Sequence, residues 1–173
     1  MHIYSRVEWG ARQAREMAEQ GPPKESFLHH SDDPDGLKFN TLAKQKQKVR
    51  DIQNFHMDTR EWSDIAYHFI VFQPVIGTAM RARAFEGRRL RFTPAAQLGH
   101  NTDTLAICVV GNYEHEDVRR NTRYAIEQII KRYPSVKTLG GHKDIVSTDC
   151  PGKNLYTEIP LIARAAGVRK YIP

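Results

Sequence analysis

The stretch "TLAICVVGN" (104–112) constrains the fold more than any other part of the chain. It is an apolar run rich in β-branched residues and reads as a buried strand, which needs partner strands beside it and apolar cover over it. The partners are legible. "SFLHHS" (26–31) is a short apolar strand ending in polar groups, and "IAYHFIVFQ" (65–73), dense in β-branched and aromatic residues, is predicted to be a central strand. "TAMRARAFEG" (78–87) alternates as a half-exposed strand does, and "VKTLGGH" predicts a last short strand. The cover is amphipathic helix. Leu42, Val49, Ile52 and Phe55 recur at helical spacing across 41–58. Val118, Ile126, Ile129, Ile130 and Tyr133 mark a second helix over 116–133, stopped by Pro134. "LYTEIPLIARAAG" closes the chain as a helix with Pro160 inside it or between two pieces. Strands and helices mixed in this order predict an α/β (α+β) domain, a central mixed β-sheet flanked by helices.

With 173 residues and no repeat, linker or low-complexity tract, the working expectation is one domain spanning 1–173. No window approaches the roughly 18 consecutive apolar residues of a membrane span. The beginning, "MHIYSRVEWGARQAR", shows no apolar signal-peptide region. The net charge of +6 favours anionic partners, with "KQKQKVR" (44–50) and "RARAFEGRRLR" (81–91) holding much of the excess. Neither cluster carries the interleaved aromatics of a single-strand binder, so no nucleic-acid partner is expected.

There are two cysteines. Cys108, inside the apolar run, reads as a small core residue, whereas Cys150 follows His142 in the small, polar run "GGHKDIVSTDCPG" (140–152). A catalytic zinc site takes three protein ligands from His, Cys or carboxylate and leaves a fourth position open. His142 and Cys150 supply two candidates, and the third must come from elsewhere. His2 and His115 lie in polar, exposed surroundings, His56 ends a helix, and His68 sits inside a strand opposite Tyr67. His29 and His30 end a strand and must point opposite ways, so either one could face a cleft as the third ligand.

Six segments taken together resemble the peptidoglycan recognition protein and type 2 amidase family. They are "SRVEWGAR" (5–12), "FLHHSD" (27–32), "VRDIQNFHMDTREWSDIAYHFIV" (49–71), "FEGR" (85–88), "GHNTDTLAICVVGNY" (99–113) and "GHKDIVSTDCPG" (141–152). The likeness runs in order along nearly the whole chain. It implies a zinc-dependent N-acetylmuramoyl-L-alanine amidase with a peptidoglycan-recognition-protein-like sheet. By the same resemblance His29, His142 and Cys150 would hold Zn2+, and Tyr67 would assist beside the metal. Thr148 stands where phage enzymes have lysine and animal amidases threonine. His100, Trp62 and Asn101 would contact substrate. Asp149 stands beside Cys150, and some related amidases use aspartate as the ligand, but the register from His142 favours the cysteine.

The segment "QPVIGTAMRARAFEGR" departs from the tight D-G hairpin of relatives. The resemblance also allows a non-catalytic recognition protein, although such members usually lack the ligand cysteine, which this chain keeps. The expected partner is peptidoglycan and the expected state a monomer. The expected setting is a phage endolysin made in a host cytoplasm and released to the cell wall.

Overall fold

A computed structural model describes residues 1–74 and 81–173. Its strands are β1 (Ile3–Tyr4), β2 (Glu25–His30), β3 (Phe69–Phe72), β4 (Arg83–Glu86), β5 (Thr104–Val110), β6 (Thr138–Gly141) and β7 (Arg169–Lys170). The helices are α1 (Arg6–Trp9), α2 (Leu42–Asn54), α3 (Arg120–Ile130) and α4 (Lys153–Ala166). The strands form one sheet in the order β1-β4-β3-β5-β2-β6-β7. Among the described strands only β3 and β4 pair antiparallel, so the sheet is mixed.

The apolar run becomes β5, the middle strand, and all of its residues are buried. Each aliphatic side chain buried there contributes about 1.5–3 kcal/mol relative to exposure, which is why the strand tolerates so little polarity. Alternation divides its neighbours between two faces. Leu28 and Val71 join a core closed by Ile126 and Ile129 of α3 and Leu155 and Ile159 of α4. Ile70 and Phe72 turn the other way, onto Trp9 of α1 and Val49 and Ile52 of α2. In β2 the same parity sends Leu28 toward α3 and α4, His29 toward α2, and His30 back again.

Several predicted boundaries move. The 65–73 strand is only Phe69–Phe72, because the Asp64 and Ile65 carbonyls accept from the Arg88 side chain instead of from a strand. The 116–133 helix starts at Arg120, since Glu116 is spent accepting from the amides of Gly36 and Asn112. The 78–87 strand is observed from Arg83, and its first three positions, with most of the uncertain hairpin, lie outside the described residues. The strand at 138–141 is not the last, because two-residue β7 adds beside it. Pro160 stays inside an unbroken α4. β1 and α1 were not anticipated.

Candidate metal centre

The pairing of the parallel strands β2 and β6 ends where β6 does, while β2 continues along β5 to His30. Their last pair is Leu28 with Gly141, and one residue beyond it stand His29 and His142, ring centroids 4.7 Å apart. Beyond His142 the chain makes a single 3-10 turn and loops back so that the Lys143 amide donates to the Cys150 carbonyl at 2.9 Å. This return brings Cys150 Sγ to 3.8 Å from His29 Nδ1. One donor atom from each of His29, His142 and Cys150 lies within 4.8 Å of the others, and that is the only such group among the described residues. Gly152 ends the loop at φ 88°, and a Cβ there would lie 2.3 Å from the Tyr113 carbonyl carbon. No other residue fits that position.

The His29 ring is fixed by Gln97, whose Oε1 lies 3.1 Å from Nε2. Gln97 is fully buried, and its own amide donates to Thr104 Oγ1 at 3.2 Å, so its oxygen faces the ring. Nε2 therefore carries the proton and Nδ1 is left with its lone pair toward Cys150, the arrangement a metal-binding histidine needs. Burial, then the nearby His142, lowers the His29 pKa to about 3. Burial also lowers that of His142. Cys150 is pushed up to about 12 by burial, against the opposing pull of the His30 amide. A cysteine nucleophile needs the reverse, a thiol lowered by a cationic neighbour. Two neutral imidazoles and a thiol in an open-sided cluster are instead the donor set of a zinc ion. The residues present fit that metal.

The cluster forms one end of a cavity of about 500 Å³, walled by Lys48, Phe55, His56, Arg60, Trp62 and Tyr67. α2 reaches it through a wide π turn over Phe55–Thr59. Glu61 then adopts φ 58°, a left-handed conformation disfavoured for a non-glycine residue, and Trp62 follows it into the cavity wall. Tyr67 stacks obliquely on His29 at 5.3 Å. Burial, and behind it the thiols of Cys108 and Cys150, raises its pKa well above that of a free phenol, so the hydroxyl stays protonated.

No family model matches the chain. Individual relatives do. Peptidoglycan-recognition protein LB of Drosophila melanogaster is 30% identical over 91% of this chain and 67% of its own length. The chain belongs to the peptidoglycan recognition protein and type 2 amidase family. Human N-acetylmuramoyl-L-alanine amidase is 29% identical over 89% of this chain, which spans 27% of that longer protein. The solved structure of Drosophila PGRP-LB matches with a TM-score of 0.78 at 28% identity, covering 92% of each chain. A human relative, PGRP-IBETAC in complex with glycosamyl muramyl pentapeptide, also matches with a TM-score of 0.78, at 26% identity over 91% of this chain and 94% of that one.

Among the residues the family resemblance singled out, the fold gathers His29, His142, Cys150, Tyr67 and Trp62 around one cavity. Thr148 lines an adjoining opening with Tyr67, His142 and Cys150, and its Oγ1 accepts from the Cys150 amide at 3.2 Å. Asp149 is exposed and the donor cluster uses Cys150 in its place. His100 and Asn101 line neither opening. His100 pairs with Glu25 at 2.7 Å and packs edge-on to Phe27. Asn101 accepts from the amides of Ala96 and Gln97 and so braces the loop that presents Gln97 to His29.

Sequence reasoning missed Gln97, and it placed His56 only at the end of a helix. His56 accepts the Ala66 amide on Nδ1, lines the cavity, and is lowered to about 4 by burial, with Arg88 and Arg60 adding to it. Helical spacing could have found His56 and Arg60, four residues apart in and just after the π turn that follows α2. Nothing local marks Gln97.

Proposed function

We propose that this protein is a zinc-dependent N-acetylmuramoyl-L-alanine amidase, hydrolysing the amide between N-acetylmuramic acid and L-alanine in bacterial peptidoglycan. The observation that carries the reading is the meeting of His29, His142 and Cys150 beside a protonated Tyr67 at the end of an open cavity. Relatives named as amidases and as recognition proteins support the substrate class. Zinc, when bound, supplies Lewis-acid polarisation of the amide carbonyl and lowers the pKa of an attacking water.

The chain's own groups do the rest. His29, its tautomer set by Gln97, and His142 and Cys150 hold the metal. Tyr67 remains a hydrogen-bond donor at neutral pH and is placed to stabilise the negative charge that grows on the carbonyl oxygen. Thr148 keeps its hydroxyl proton free while its oxygen accepts from Cys150, so it can donate to the same region but brings no charge. Trp62 and Phe55 give the sugar and stem peptide apolar walls, and Arg60 offers a cation to stem carboxylates.

The test is chelation. Release of stem peptides should stop when a strong chelator removes the metal and return when zinc is added. Cys150→Ser should bind peptidoglycan as the parent does but release nothing. Activity surviving complete metal removal would exclude the metal mechanism. Wild-type binding without any release would leave a recognition protein. We further propose the endolysin setting, tested by whether expression with a holin lyses a bacterial host.

A further inference from the structure

A second cavity, of about 510 Å³, lies between the 11–17 segment and the 89–92 loop, and the proposed reaction makes no use of it. Five arginines line it, Arg6, Arg12, Arg15, Arg89 and Arg91, against the single carboxylate of Asp64. Asp64 is already neutralised by Arg6 at 2.9 Å, both nearly buried. Arg12 pairs with Asp58 at 2.6 Å, and Arg15 donates to the Glu61 and Trp62 carbonyls at 3.4 Å each. Arg89 and Arg91 have no carboxylate partner among the described residues. A guanidinium carries five N–H donors, so Arg12 and Arg15, though held in place, keep donors for a further acceptor. The lining thus combines three held guanidinium groups, Arg6, Arg12 and Arg15, with two exposed ones, Arg89 and Arg91, whose positive charge is left uncompensated, and each guanidinium fork matches a phosphate in shape.

We propose that this groove is an exosite for a polyol-phosphate chain, a phosphodiester-linked polyanion of the bacterial wall. A volume of about 510 Å³ exceeds what one phosphate needs and suits successive phosphates along a flexible chain. A nucleic acid fits less well. The aromatic ring in the groove, Phe92, is covered by Arg91 at 4.6 Å and offers no platform on which bases could stack.

The position also matters. The Arg15 amide donates to the Ser63 carbonyl at 2.8 Å and its side chain to the Trp62 carbonyl, while the Trp62 side chain lines the catalytic cavity. The two cavities share one short segment, with Asp64 lining the first and Arg60, Trp62 and Ala66 the second, so a polymer held in the first would keep its attached glycan near the second. The choice of a wall polymer rests on the amidase reading; binding itself is measured without catalysis.

The test is calorimetric binding of poly(glycerol phosphate) across a salt series, comparing wild type with R89Q/R91Q and with R164Q/R169Q, which removes the same charge from exposed positions elsewhere. We expect R89Q/R91Q to weaken binding about tenfold at low salt and to flatten the slope of log K against log salt by about 1–2. R164Q/R169Q should change affinity less than twofold. Hydrolysis of a soluble muropeptide should be unaffected by R89Q/R91Q, while hydrolysis of walls carrying the polymer falls.

Equal losses in both double variants would overturn the groove in favour of diffuse attraction, as would tighter binding of a single-stranded oligonucleotide with the same number of phosphates. The two readings fail separately. Binding that depends on Arg89 and Arg91 without hydrolysis of any substrate leaves the exosite standing and removes the amidase. Unchanged binding in R89Q/R91Q with intact hydrolysis does the opposite.

Discussion

The donor cluster is built from two unlike regions. His29 belongs to β2, is 1% exposed, and is held against Cys108 of β5 with Gln97 on its far nitrogen. His142 and Cys150 belong to a partly exposed loop held by its own short-range bonds. Those include the Lys143 amide to the Cys150 carbonyl, the Cys150 amide to Thr148, and the Gly141 amide to Asp144, whose other oxygen accepts from Tyr156 at 2.5 Å; one bond comes from the sheet, the His30 amide to Cys150 Sγ at 3.4 Å. One donor thus comes with the fold and two come with a loop. Damage to the sheet should cost stability first, and damage to the loop should cost metal binding while the protein stays folded.

The sharpest way to break that contrast is Cys150→Ser. We expect metal content and amide hydrolysis to fall to background while the melting temperature of the metal-free protein stays close to that of the metal-free parent. Unfolding of the variant would show that the loop also supports the core.

Acid should act on the sheet side. His68 is 1% exposed, its Nδ1 accepts the Ala106 amide and its Nε2 faces the Phe92 carbonyl, and burial lowers its pKa from 6.5 to about 4. The unfolded chain then binds the proton more tightly than the folded one, so stability is full above about pH 6.5 and declines until about pH 4. The loss attributable to His68 reaches about 3 kcal/mol. Urea unfolding of metal-free protein at pH 7.5 and 4.5 measures it, and His68→Gln should show a shallower pH dependence.

A smaller effect is expected where the two regions meet. Gln97→Leu should weaken zinc about 10–100-fold, as loss of an outer-shell partner does, measured by competition with a chromogenic chelator. An unchanged affinity would mean that the His29 tautomer is set by something else. The smallest change is Thr148→Val. It removes one loop hydrogen bond, worth about 1 kcal/mol, and should lower turnover more than metal content.

The sheet was legible where chemistry is local. β5 and β2 follow from apolar runs, and α2 and α3 from spacing, because burial demands both. "SRVE" also contained a readable signal for α1, since Ser5 and Glu8 form a reciprocal capping box. It was overlooked because a four-residue helix has too little period to notice. In the site, His142 and Cys150 stood out by composition, whereas the choice between His29 and His30 came from resemblance. Strand parity settles it in the structure: His30 points away and accepts the Tyr113 amide on Nδ1. Gln97 and the arginine groove were not legible, since each depends on contacts between segments distant in sequence.

The proposed reaction breaks an amide bond with a metal held by His29, His142 and Cys150. The most direct measurement is mass spectrometry of purified peptidoglycan digested by the zinc-loaded protein. The prediction is free stem peptides beginning with an unblocked L-alanine amine, glycan strands left intact, and neither product after chelation. Fragments cut within the glycan or between stem residues, or release that persists without metal, would contradict it.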